Sequence, residues 1–332
     1  MNIMLHINMM MYMIIFMSTI MAISSTNMLM MWFSLELNMF AFIPLIMKKT
    51  LTNETEASIN YFMAQALGSI TFLLASTMLL SFHWLVMTNN MMLTMSMLMK
   101  IGAVPCHYWY PLTMEMMSWT NCLLLLTWQK IAPLFILLYI ILYKTSELAM
   151  TMIVWMNALA GGLMGLSQKS IKKIMAYSSI THMGWMFSGP MNNTPCMSVS
   201  YFIVYSSLML PLSMFFYSMK MNEVEDIWQK QKLSLMWMIM ISLLLLSLAG
   251  LPPLTGFIPK LTMMNMLLTY SFMTMIVLIS GSLLNLIFYL NIMLNMLMSF
   301  QENMSTNKMK ITLKMQNTIL AMSFLALFIF YL

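Results

Sequence analysis

The chain has 332 residues, of which 61% are hydrophobic and only 7% charged. A soluble globule of that size needs far more polar surface, so the composition excludes one. It indicates an all-α polytopic membrane protein. All fifteen basic residues are lysine and the net charge is +6, yet no basic run or aromatic-basic interleaving supports nucleic acid as a partner.

A bilayer core takes about 20 apolar residues per helix. Cutting the sequence at its polar clusters predicts eleven spans, near 4–23, 28–47, 56–82, 91–118, 119–143, 150–167, 173–189, 197–219, 235–270, 272–298 and 314–332. The first run has no basic segment before it and no small-residue cleavage site after it, so it reads as a retained span and not a signal peptide. With the N-terminus on side A, the loops bring Lys48, Lys49, Lys169, Lys172, Lys173, Lys220, Lys230, Lys232, Lys308, Lys310 and Lys314 to that side and only Lys144 to side B. The positive-inside rule expects such an asymmetry and makes side A the face of synthesis.

The fourth and ninth spans exceed one helix and are interrupted, at IGAVPCHYWYP and at AGLPPLTGFIPK. Glycine and proline there predict a break in each. Each broken span is fourth in a group of five. The single membrane domain therefore reads as two inverted five-helix repeats, 1–143 and 150–298, with a C-terminal helix at 314–332. Interruptions at matching places of inverted halves indicate a transport path near the midplane. Gly161 and Gly165 form a GxxxG that favours close helix approach.

Removing the orienting lysines leaves Lys100, Lys130 and Lys260 within or beside apolar runs. A central lysine costs roughly 2.5 to 3.5 kcal/mol, so three of them call for a use. Glu36, in MWFSLELNMFAFIPLI, is the mid-span carboxylate. Lost hydration disfavours an ammonium and a nearby carboxylate favours it, which makes lysine a tunable proton store. Pro105, Pro133 and Pro259 are expected to free the carbonyls of Ile101, Gln129 and Thr255 beside the three lysines. Snorkelling to the interface or a static ion pair is the alternative for each lysine. His107, in the first break, and His182, in YSSITHMGWM, are candidate relay groups, with a packed and hydrogen-bonded histidine as the alternative. Four dispersed histidines and three cysteines without C-x-x-C spacing make no metal or iron-sulfur site. No GxGxxG or P-loop supports nucleotide binding.

Five ordered motifs, SLELN at 34–38, KIGAVPCHYWYP at 100–111, TWQKIAP at 127–133, QKSIKKIMAYSSITHMGW at 168–185 and GLPPLTGFIPK at 250–260, together resemble the antiporter-like membrane subunits of respiratory complex I. The resemblance runs along nearly the whole chain. It implies a proton-pumping subunit of NADH:ubiquinone reductase in the mitochondrial inner membrane, with side A as the matrix. It also implies a shortened form lacking three N-terminal helices of larger bacterial relatives. The chain would bind no cofactor and carry no redox centre, NAD and ubiquinone being used by the whole complex. Its partners would be other membrane-arm subunits and inner-membrane phospholipids. By motif, the resemblance pairs Glu36 with Lys100, makes Lys130 the central relay and Lys260 the exit-side lysine, and gives His107 the family's position in the same break. Two positions depart from the pattern: Lys172, where arginine is common, and Met116, where a glycine often follows the acid at Glu115.

Overall fold

A computed structural model describes residues 2–47, 52–81, 86–141, 147–224, 226 and 235–302. In lipid, backbone groups have no water to bond, so a spanning segment satisfies them within its own helix. Methionine and leucine, which dominate here, lose little rotamer freedom in that form. The described residues form α1 (Asn2–Ser24), α2 (Met28–Ile46), α3 (Thr52–Ser81), α4 (Val86–Ile101), α5 (Trp109–Met116), α6 (Trp119–Leu126) and α7 (Trp128–Ile141). They continue as α8 (Glu147–Leu166), α9 (Ile171–Met191), α10 (Pro195–Met219), α11 (Leu235–Ala249), α12 (Phe257–Tyr270) and α13 (Phe272–Glu302). Buried hydroxyls fold back on their own helices, as Ser34 does to the Met31 carbonyl at 2.7 Å and Ser178 to the Met175 carbonyl at 2.9 Å.

Seven stretches among the described residues are long and apolar enough to cross a bilayer, within α1, α2, α3, the α6–α7 run, α8, α10 and α13. The predicted span at 314–332 lies outside the described residues, as do the orienting lysines Lys48, Lys49, Lys144, Lys230, Lys232, Lys308, Lys310 and Lys314.

The chain divides into two compact units, Met1–Met150 and Thr151–Leu332. In the first, α7 packs against α1, α2, α4 and α6, while α3 lies along α4 and α5. In the second, α9 packs against α10, α12 and α13 and is buried along almost its whole length. The GxxxG acts as expected. A Cβ on Gly161 would meet Thr181 of α9 at 2.5 Å, and one on Gly165 would meet Phe288 of α13 at 2.8 Å.

Both predicted breaks are present, and glycine ends each helix. Gly102 (φ +77°) and Gly250 (φ +81°) adopt the left-handed conformation that side chains disfavour. The Ala103 N–H reaches back to Leu98 O (3.0 Å) and Gly102 to Met99 O (3.3 Å). Leu251 to Leu246 O (3.3 Å) and Gly250 to Ser247 O (3.0 Å) repeat that closure, a Schellman motif in both places. Pro105 and Pro253 follow three residues later, beyond helices already stopped.

Two local expectations are corrected. Pro259 does not free the Thr255 carbonyl, because α12 begins at Phe257 and Pro259 sits in its first turn, where no N–H is required. Ile258 N–H takes that carbonyl at 3.2 Å. The fifth span is itself interrupted at Thr127 (ψ −75°), between α6 and α7. After Glu115 no glycine is needed, because α5 stops through an extended Met117 (φ −79°, ψ 157°) and not a left-handed turn.

Candidate functional site

In the first unit, the C-terminal turn of α4 carries Lys100 and the start of α7 carries Lys130. Their side chains are 5% and 2% exposed, and Lys260 is 2% exposed, so none of the three snorkels out of the protein. Lys100 and Lys130 line one small cavity, which also receives Asn38, Tyr61, Gln65 and Gln129. The gap between the two ammonium groups is therefore bordered by groups able to hold water.

Local packing explains how each group reaches this space. Gly68 of α3 leaves room for the Lys100 stem, whose Cγ would stand 3.0 Å from a Cβ there. Gln65, one turn earlier, donates Nε2–H to the Lys100 carbonyl at 3.0 Å. Gln129 donates to Asn38 Oδ1 at 3.0 Å, joining α7 to α2. Pro133 lies inside α7 and cannot donate to the Gln129 carbonyl, as the sequence predicts. Lys130 Nζ stands 4.8 Å from the centre of the Tyr110 ring.

Lys100 Nζ is buried without a hydrogen-bond partner. Glu36 is half-buried on α2, two residues before Asn38 of the cavity lining. His107 is buried in the break, with Nδ1 3.4 Å from the Pro105 carbonyl and its ring stacked on Tyr108. It is not among the residues lining the Lys100–Lys130 cavity.

In the second unit, Lys260 reaches back from α12 to the end of α11. Its Nζ donates to Ala249 O at 2.7 Å and lies 3.5 Å from Leu248 O. Carbonyls at a helix C-terminus carry partial negative charge, so they favour an ammonium. Trp185 of α9 offers its ring to the same Nζ at 5.9 Å. A second, smaller cavity is lined by His182, Tyr201, Ser247, Leu248 and Pro259 among others. His182 Nδ1 pairs with the Tyr201 hydroxyl at 2.8 Å. The structure thus brings Lys100 to Lys130, and His182 to the backbone around Lys260. Among the described residues, no group of three His, Cys, Asp or Glu side chains is arranged to hold a metal ion.

Sequence reasoning missed Asn38, Tyr61, Gln65, Gln129 and Tyr110. The first, third and fourth are amides inside apolar spans, and polarity at membrane depth is the signal that could have found them.

Residues 25–287 match the family model described as NADH:quinone oxidoreductase/Mrp antiporter, TM. A chain of Lumbricus terrestris named NADH-ubiquinone oxidoreductase chain 2 is 41% identical over 90% of this chain and 90% of its own length. A mouse (Mus musculus) chain of the same name is 38% identical over 84% of this chain and 82% of its own. This chain belongs to that family. A chain of respiratory complex I from Thermus thermophilus, solved with bound aureothin, superposes with a TM-score of 0.83 at 20% identity, covering 95% of this chain and 76% of that one. A chain of the Mrp complex from Dietzia sp. DQ12-45-1b gives 0.75 at 15% identity, over 86% of this chain and 59% of that one.

Proposed function

We propose that this chain is a membrane-arm subunit of proton-translocating NADH:ubiquinone oxidoreductase, and that it moves protons along a mid-membrane line of Glu36, Lys100, Lys130 and Lys260. His107 and His182 are auxiliary groups beside that line. The subunit works in the mitochondrial inner membrane with its N-terminus in the matrix and its C-terminus in the intermembrane space, against other membrane-arm subunits and phospholipid. It carries no redox centre; NADH and ubiquinone react elsewhere in the complex.

The observation that supports this reading most is the shared cavity, with two buried lysines and three amides on one polar-lined space. A charge change beside Glu36 alters the field at Lys100, and the energy of that interaction depends steeply on the local dielectric. Lys100 then hands its proton state to Lys130 across hydrated side chains, and Lys260 receives it in the second half. The two glycine-ended breaks, alike in backbone closure, support an arrangement of two inverted five-helix repeats, 1–143 and 150–298, with a further helix at 314–332.

Lys130→Met in the assembled complex tests the reading. Methionine keeps the length of the side chain and removes the proton site. Protons pumped per NADH oxidised should fall while the complex still assembles. Unchanged stoichiometry would leave the chain a scaffold and not a pump.

A further inference from the structure

The helix break and the central lysine meet at one side chain. Tyr110 lies in the first turn of α5 and is 1% exposed. On one side it packs on the left-handed Gly102, where an added Cβ would stand 2.7 Å from Tyr110 Cβ and 2.9 Å from its Cγ. On its other side the ring lies under Lys130 Nζ, 4.8 Å from the centroid. A desolvated ammonium over an aromatic face is attracted by the ring's quadrupole, and that attraction vanishes with the charge.

We propose that Tyr110 is a positioning residue for Lys130: its ring holds the protonated ammonium toward the cavity shared with Lys100, and its seat on Gly102 makes that hold depend on the geometry of the α4–α5 break. This rests on the relay reading above. The consequence is directional. A shift of α5 relative to α4 moves the ring, and with it the site where the Lys130 ammonium is most stable. Lys260 also has an aromatic ring nearby, Trp185 at 5.9 Å, but it is bonded directly to the backbone of its own break, with the Ala249 carbonyl at 2.7 Å.

The test uses the whole complex in proteoliposomes with Tyr110→Phe, Tyr110→Leu and Lys130→Met. Leucine keeps the Cβ and Cγ that pack on Gly102 and removes only the aromatic face; phenylalanine keeps the face and removes the hydroxyl. At equal amounts of assembled complex, Tyr110→Phe should pump within about twofold of the parent, and Tyr110→Leu should pump about tenfold more slowly. Equal pumping by the leucine and phenylalanine variants overturns the inference, as does a phenylalanine variant as impaired as the leucine one. If Lys130→Met pumps normally, the relay reading fails instead. If Lys130→Met is impaired while Tyr110→Leu is not, the role of Tyr110 fails alone.

Discussion

In the Met1–Met150 unit two buried lysines share a cavity with three amides and a tyrosine, and the half-buried carboxylate of Glu36 lies on α2 two residues before Asn38 of that lining. In the Thr151–Leu332 unit Lys260 rests on the last carbonyls of a broken helix. The two counter-charges differ in kind. A carboxylate can be protonated, moved or masked, whereas a helix C-terminus presents roughly half a negative charge that cannot titrate. On the proposed relay reading, the first unit would be the one that is switched, while Lys260 is held by fixed backbone charge.

The comparison breaks most visibly at the glycines. Gly250→Ala places a Cβ 2.7 Å from Lys260 Cδ and 2.9 Å from its Nζ, in a backbone conformation that costs an L-residue about 1 to 2 kcal/mol. The yield of intact complex after heating should fall, and pumping should fall beyond that loss because the ammonium leaves the Ala249 carbonyl. Gly102→Ala carries the same backbone cost but meets Tyr110, so its effect on pumping should follow that of Tyr110→Leu. Equal pumping losses from the two alanines, scaled to assembled complex, would remove the distinction between the units.

A carboxylate that switches Lys100 should be sensitive to loss of its charge. Glu36→Gln should lower proton pumping about fivefold with little change in assembly, a modest electrostatic effect for a partly exposed group. Pumping at the parental rate would mean that Lys100 takes no instruction from α2.

The smallest effect is expected at the bridge between α2 and α7. Gln129→Leu removes the donor to Asn38 Oδ1 and leaves a buried acceptor unpaired, at a cost of about 1 to 3 kcal/mol. Thermal loss of the complex should shift to lower temperature, while Gln129→Asn or Gln129→His, which keep a donor, should shift it less.

The sequence made the breaks legible because glycine and proline are rare in apolar helices and act locally. It made the lysines legible because charge in an apolar run is costly enough to require a reason. What it hid were relations between distant residues and effects without a breaker. Gln129 and Asn38 are 91 residues apart, and neither is charged, so a scan for charge passed over both. The interruption at Thr127 has no glycine or proline of its own; its hydroxyl bonds the Leu123 carbonyl at 2.8 Å, a back-bond that loosens helices. Tyr110 looked like one more aromatic in an apolar stretch until the chain brought Lys130 over its ring. The reach of Lys260 to Ala249 was also invisible, because the proline before it suggested a freed Thr255 carbonyl that Ile258 in fact occupies.

Ordered water between the lysines is the central physical claim, and a map of the assembled complex fine enough to resolve it is the most direct measurement. The account predicts density for water in the cavity bounded by Asn38, Gln65 and Gln129, linking Lys100 Nζ to Lys130 Nζ. A dry gap between the two ammonium groups, with the amides bonded only to protein, would contradict it.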